Sequence, residues 1–407
     1  MKIILFEDNK CKNLFPFGLF KPLHDLPVGS WTLHSMIKLL DFPTSFFVRE
    51  HFIFDDKNNF VIEKKGNQPL LFLNSSIEPD VKYLETIKDL ITAGDPFIST
   101  CGNRVAAALV PAGKKISENI STDEISAFLL EMELPLEHEM FKTIDWPHEA
   151  VETHLRLFSS NMEKIISTGN YKQKKQGMFI GENVQLSPST VINTDNGPII
   201  IDSGVKVMHF TYLEGPIYIG KNSIVIEHSS IKDHTSIGTR CKIGGEVEAS
   251  MIESYSNKQH HGFLGHSWIG NWVNLGAGTS SSDLKNTYGF IRVEYDGKKL
   301  KTNMQFLGSI IGDYAKTAVN TSLFTGKIVG VCSMVYGTVT SNIPSFSNYA
   351  KSFGQVTEVS LENVLKTQKR MNLRRGVEQT EQDIILMKRV FDMTRHERTM
   401  SEEQINF

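Results

Sequence analysis

The chain has 407 residues, more than one ordinary core accommodates, so two or three domains are expected. Its 40% hydrophobic share fits a soluble globular protein, and a net charge of −3 gives no electrostatic footprint for nucleic acid. No apolar run reaches the ~18 residues needed to span a bilayer. Cys11, Cys101, Cys241 and Cys332 lie far apart with no Cys-x-x-Cys pair, which argues against a disulfide framework or zinc knuckle.

In chain order, Met1–Phe6 reads as a short apolar strand. It is too short for a signal peptide and Glu7-Asp8 follows at once, so a cytoplasmic protein is expected. Phe46–Val48, Leu70–Leu73 and Ala106–Val110 are further strand candidates. Val81, Leu84, Ile87 and Ile91 mark one face of a helix that opens after Pro79 and closes at Gly94. Residues 1–145 therefore read as an α/β domain, and 146–175 as a helical linker.

A repeat begins beyond the linker. Ile201, Val207, Leu213, Ile219, Val225, Ile231, Ile237 and Ile243 recur every six residues. Ile180, Leu186 and Ile192 precede them; Phe263, Ile269, Leu275 and then Ile311, Thr317, Leu323, Val329, Val335 follow. A period of six matches neither a helix nor one long alternating strand. It fits short strands joined by corners, each placing one aliphatic side chain in an axial core that closes only when rungs stack. Gly181, Gly220, Gly238, Gly270 and Gly312 each follow a repeat residue, at expected tight corners. Residues 244–262 and 280–305 interrupt the rhythm and read as loops, where binding and chemistry concentrate. Two helices are expected at Ser360–Met371 and Thr380–Arg395, the second capped by Thr380 and Asp383.

The polar residues gather around the first interruption. The sequence there reads Gly244-Gly245-Glu246-Val247-Glu248, then Tyr255-Ser256-Asn257-Lys258-Gln259-His260-His261-Gly262-Phe263-Leu264-Gly265-His266-Ser267, then Trp272-Val273-Asn274-Leu275-Gly276-Ala277-Gly278-Thr279. A neutral loop histidine can take a proton from an attacking amine or hydroxyl, and a carboxylate can hold its tautomer. The small run 276–278 exposes N–H groups suited to a thioester carbonyl or a phosphate. No metal is expected here: His261 and His266 are five apart, but His228 falls off the coil register a third ligand needs. Lys366, Lys369, Arg370, Arg374 and Arg375 read as a solvated helix face or a phosphate patch.

These motifs resemble the acetyltransferase half of the bacterial bifunctional N-acetylglucosamine-1-phosphate uridyltransferase / glucosamine-1-phosphate N-acetyltransferase family, in its Bacteroidetes-type variant. The similarity continues through Asp283-Leu284-Lys285-Asn286, Gln305-Phe306, Gly312-Asp313 and Pro344-Ser345-Phe346-Ser347. It implies a left-handed parallel β-helix over 176–347 and a homotrimer with sites between chains; residues 348–407 read from their own pattern as a helical extension. By position it implies His260 as catalytic base with Glu248 nearby, Lys232, Phe263, Asn274 and Asp283 as substrate-binding residues, and Ala277 as the backbone contact to the acyl-CoA. Lys232 and Asp283 replace an arginine and an asparagine of the family, Phe263 replaces a tyrosine, and Ser250 stands where better-known members have a lysine. Lysine keeps the charge of arginine but loses its bidentate fork.

Leu5-Phe6-Glu7-Asp8-Asn9 and Lys21-Pro22-Leu23-His24-Asp25-Leu26-Pro27-Val28-Gly29 are similar to the same variant's nucleotidyltransferase-like first domain. There a Gly-rich loop normally cradles nucleotide phosphates; here Glu7-Asp8-Asn9 stands in its place, and acids repel a triphosphate unless Mg²⁺ bridges them. The expected function is acetyl-CoA-dependent N-acetylation of a glucosamine-1-phosphate-like sugar phosphate for nucleotide-sugar and cell-envelope precursors. The alternatives are Mg²⁺-dependent formation of a UDP- or dTDP-sugar from a nucleotide triphosphate by the first domain, and a non-catalytic trimer that binds sugar nucleotides.

Overall fold

The structure, a computed structural model, describes residues 1–54, 68–114, 120–295 and 297–399. It separates into two compact units, Met1–Pro147 and His148–Phe407. No helix among the described residues is long and apolar enough to cross a membrane.

The first unit is built on a six-stranded sheet, β1 (Lys2–Phe6), β2 (Thr44–Phe47), β3 (Leu70–Asn74), β4 (Phe97–Cys101), β5 (Arg104–Val110) and β6 (Leu136–His138). The order is β2-β1-β3-β5-β4-β6, with β1 parallel to both neighbours and β3, β4 antiparallel to β5. The buried strands β1, β3 and β5 read as near-continuous apolar runs because both faces are covered. Ile3, Leu5, Leu71 and Leu73 pack on one side with the helix Tyr83–Ala93; Ile4, Phe6 and Phe72 pack on the other. That helix ends at Gly94, whose φ of +69° puts it in the left-handed region that glycine enters freely. The β4 and β6 strands were not foreseen. β6 is exposed along its length and has no apolar pattern to betray it.

The second unit is a left-handed parallel β-helix of three sheets. The first sheet begins at Met178–Ile180, the second at Gln185–Leu186 and the third at Val191–Asn193, and the chain then returns to the first at Ile199–Ile201. Every member of the long aliphatic column, Ile201 through Ile243, is buried in one axial core. The glycines at the corners are required by close approach rather than by dihedral angle. A Cβ on Gly220 would lie 2.7 Å from the carbonyl carbon of Gly238, and one on Gly181 2.5 Å from the Ser203 nitrogen. The left-handed conformation falls two residues later, at Asn183, Asn222, Arg240, Tyr255, Trp272 and Tyr314, with φ between +55° and +63°. Their rings stack along this edge, Tyr255 on Trp272 at 4.3 Å and Trp272 on Tyr314 at 6.5 Å.

Four expectations change. Residues 244–262 do not loop out: Glu246–Glu248, Met251–Ile252 and Asn257–Lys258 continue the three sheets, and shortened corners move the phase. The inward residue of the next rung is Leu264, while Phe263 faces outward. The excursion expected at 280–305 is present but starts later. Ser280–Ser281 remains in the third sheet and pairs with Ser322–Leu323, and the inserted segment carries the hairpin Arg292–Tyr295/Lys298–Lys301. Residues Pro147–Thr168 form one helix whose Phe158 and Met162 cover Ile200 on the outside of the first sheet, so the segment expected as a linker is docked on the solenoid. The C-terminal helices span Leu361–Arg374 and Glu381–Met393, the second closed by a Thr380–Asp383 capping box.

Candidate functional site

Coil stacking decides which of the polar residues meet. Asn257 bridges Asn274 in the second sheet, and the N–H of Gly278 donates to the carbonyl of His261 at 3.0 Å. In this register His260 stacks on Ala277, both at the corner between the second and third sheets. His260 is exposed, and its imidazole makes no hydrogen bond among the described residues. The Ala277 N–H meets no acceptor among them either, while its carbonyl accepts from Asn320 at 2.7 Å. An unpartnered imidazole and an unpartnered N–H thus stand on neighbouring rungs.

Lys258 holds this corner, and sequence reasoning missed it. It pairs with Ile243 in the second sheet, so a lysine occupies a rung of the aliphatic column. Its side chain is buried, and its ammonium donates to the carbonyls of Gly244 at 2.8 Å, His260 at 3.3 Å and Gly262 at 2.6 Å. Burial lowers its pKa to about 8. The available signal was a charged residue at an inward position of the column.

The remaining candidates gather at the next corner, between the third and first sheets. Glu248 pairs with Gly265 across the third sheet. The Lys232 ammonium donates to Glu246 Oε1 at 2.5 Å and lies 3.4 Å from Glu248 Oε2. The Glu246 hydrogen bond raises the Lys232 pKa despite desolvation. His266 Nδ1 lies 2.8 Å from Asp283 Oδ2, and the His266 ring stacks on Phe306 at 5.2 Å. Gly265 makes room for this pair: a Cβ there would stand 2.4 Å from Asp283 Oδ2 and 2.5 Å from Phe263 Cζ.

The structure therefore brings Lys232, Glu248 and Asp283 together and adds His266, which had not been assigned a role. It sets His260 and Ala277 at the other end of the strand Phe263–Gly265, roughly 10 Å long at ~3.3 Å per residue, with Phe263 between. Glu248 is thus placed with Lys232 and His266 rather than with His260. Asn274 stands apart on the second sheet; its Oδ1 accepts from Asn257 at 3.4 Å, and Arg375 bonds the other end of Asn257. Of the C-terminal basic cluster, Lys366 pairs with Glu362. Trp272 belongs to the aromatic stack on a different edge.

In the first unit, Glu7 and Asp8 follow β1 and are both buried. Glu7 accepts from the Arg49 Nε and Nη2 at 3.0 Å each, from the Arg49 N–H at 3.0 Å and from the Leu23 N–H at 2.9 Å. Asp8 accepts from Arg104 at 2.8 and 2.7 Å, from Asn74 at 2.8 Å and from the Lys10 N–H at 3.1 Å. Burial alone would raise both carboxyl pKa values, but the guanidinium partners outweigh it and both are lowered. With their lone pairs occupied, these two carboxylates do not fit Mg²⁺, and they are followed by a short 3-10 turn, Asn9–Leu14.

Residues 3–168 match the family model described as sugar nucleotidyl transferase. A bifunctional sugar-1-phosphate nucleotidylyltransferase/acetyltransferase of Sulfurisphaera tokodaii is 31% identical over 158 residues, 38% of this chain and 39% of that protein. The bifunctional protein GlmU of a Cyanothece species is 29% identical over 199 residues, 47% of this chain and 34% of that protein. The matched region thus spans about two fifths or less of these relatives. Among solved structures, an Arabidopsis UDP-N-acetylglucosamine acyltransferase aligns over 57% of this chain and 96% of its own, at 12% identity and a TM-score of 0.28. By sequence the chain is similar, over less than half of its length, to bifunctional sugar-1-phosphate nucleotidylyltransferase/acetyltransferases, and its α/β unit matching the sugar nucleotidyl transferase model is followed by a β-helix.

Proposed function

We propose that the β-helix transfers an acetyl group from acetyl-CoA to the amine of a glucosamine-1-phosphate-like sugar phosphate. The observation that carries this reading is the open rung of His260 over Ala277, which offers a proton acceptor beside an unused N–H donor. His260 takes the proton as the amine nitrogen bonds to the thioester carbonyl carbon. The Ala277 N–H stabilises the oxyanion. The carbon–sulfur bond then breaks, and CoA leaves as the thiol after accepting a proton. Phe263 offers an apolar floor to the sugar ring, and Asn274 an amide at its edge. Lys232 and Asp283 bound the far end, where Lys232 reaches a phosphate only by exchanging it for Glu246.

A second copy of the chain completes the site in a homotrimer. Its support is a run of exposed apolar side chains on the His260 corner, Phe210 at 63% and Val319 at 66% exposure, on coils before and after that rung. The acyl-CoA donor places the work in the cytoplasm. Nucleotidyl transfer with Mg²⁺ and a nucleotide triphosphate is disfavoured at the β1 turn, since Glu7 and Asp8 are consumed by Arg49 and Arg104.

One observation favours a second base. His266 is oriented by Asp283 through Nδ1, which leaves Nε2 as the proton acceptor. Thiol release from acetyl-CoA with glucosamine-1-phosphate, compared across wild type, His260→Ala and His266→Gln, separates the readings. Loss of turnover in His260→Ala alone supports the first, loss in His266→Gln alone the second. No release from wild type with any amino- or hydroxy-sugar phosphate would refute acyl transfer.

A further inference from the structure

We infer that His24, Asp25 and His34 in the first unit form a binding site for a divalent transition-metal ion of the zinc class. His24 and Asp25 lie on the turn Leu23–Asp25, and His34 opens the helix Leu33–Ile37 behind its Thr32 cap. His34 Nδ1 is 2.8 Å from Asp25 Oδ1, His24 Nε2 is 3.8 Å from Asp25 Oδ2, and one donor atom from each of the three lies within 4.8 Å of the other two. An ion with bonds of about 2.0–2.1 Å in tetrahedral geometry spaces its ligands by about 3.3 Å, a value these distances bracket. Two imidazoles and one carboxylate suit zinc, cobalt or nickel better than the all-oxygen preference of magnesium or calcium.

The surroundings fix the rings for this role. His24 is buried, and its Nδ1 lies 3.2 Å from Ser75 Oγ at the end of β3. With Nδ1–H donated to that hydroxyl, the Nε2 lone pair faces the Asp25 carboxylate, and two acceptors so placed attract a shared cation. An outer hydrogen bond of this kind is what metal-bound histidines use to hold tautomer and orientation. Phe46 stacks on the His24 ring at 4.7 Å and meets the His34 ring edge-on at 4.7 Å, which walls one side. Asp25 and His34 remain partly exposed, so the fourth position opens to water. The other His-and-carboxylate group, Glu248, His266 and Asp283, already has the Lys232 ammonium 3.4 Å from Glu248.

The full chain, stripped with a chelator, is titrated with Zn²⁺ against a chromophoric competitor and with Co²⁺ by its visible absorption. The expected result is one equivalent bound per chain, with tetrahedral Co²⁺ intensity. His34→Gln and Asp25→Asn weaken binding by more than the roughly 10–100-fold expected for Ser75→Ala, which removes only an outer partner. His34→Gln is the decisive variant because its side chain is partly exposed and lies outside the buried core; circular dichroism confirms the fold. His266→Gln leaves the affinity unchanged. Wild-type affinity in His34→Gln, loss of the site in His266→Gln, or no uptake by wild type at micromolar zinc would each overturn the inference.

Discussion

Replacing Lys258 with methionine tests whether a buried ammonium closes the His260 corner. In the folded chain burial lowers this lysine from an ordinary 10.5 to about 8. The depression amounts to ~3 kcal/mol at ~1.4 kcal/mol per unit. Between pH 8 and 10.5 the unfolded chain holds the proton that the folded chain has released, so stability rises with pH across that window. The contribution is complete above the unfolded value and lost as pH falls through about 8. Below that the folded ammonium is retained by its three carbonyl partners. Methionine leaves the Gly244 and His260 carbonyls without this donor, at ~1–3 kcal/mol for each buried acceptor left unmade, while Gly262 still accepts from the Glu246 N–H at 3.2 Å; it also removes the ~3 kcal/mol desolvation cost. A modest net loss at pH 7 is therefore expected. Urea denaturation of both proteins at steps from pH 7 to 10.5 reads the difference directly. Wild type should gain ~3 kcal/mol on the variant across the window, since other titrating groups cancel in the comparison. A difference that stays flat with pH would refute a buried, proton-releasing amine at this rung.

Other outcomes follow from contacts already described. Gly265→Ala places a Cβ 2.4 Å from Asp283 Oδ2, so it should separate His266 from Asp283, cost ~1–3 kcal/mol of overpacking strain and lower acyl transfer, read by thermal melting and thiol release. Arg104→Met leaves the Asp8 carboxylate buried without its partner and should destabilise the first unit by ~3–5 kcal/mol, measured by denaturation; a loss under ~1 kcal/mol would show that the pair is dispensable. Because Arg104 and Asn74 lower the Asp8 pKa, wild type should lose stability as pH falls below the ordinary aspartate value, and that acid slope should shrink in the variant. Ile231→Ala empties a fully buried rung and should cost ~2–5 kcal/mol by urea denaturation, whereas an unchanged midpoint would contradict a single axial core.

The solenoid was legible in the sequence because its period is a packing requirement. Every inward position from Ile201 to Ile243 meets the same narrow core, so each carries an aliphatic residue. Where corners shorten, the period breaks while the stacking continues, and residues 244–262 looked like a loop for that reason. The same break misassigned Phe263 inward in place of Leu264. Local patterns found the helix ending at Gly94 and the Thr380–Asp383 cap. The candidate site was only partly legible. Motifs identified the right stretch of chain, but contact across coils is set by corner length, which is why the pairing of His266 with Asp283 and the capture of Lys232 by Glu246 emerged only from the fold. The roles of Glu7 and Asp8 depend on Arg49 and Arg104, far away in sequence, and no local pattern marks such partners.

The central claim is tested most directly by following CoA thiol release from acetyl-CoA and glucosamine-1-phosphate with wild type beside His260→Ala. The account predicts release by wild type and a loss of roughly 10²–10⁴-fold in the variant, the usual contribution of a general base. Equal turnover by the two proteins would contradict it.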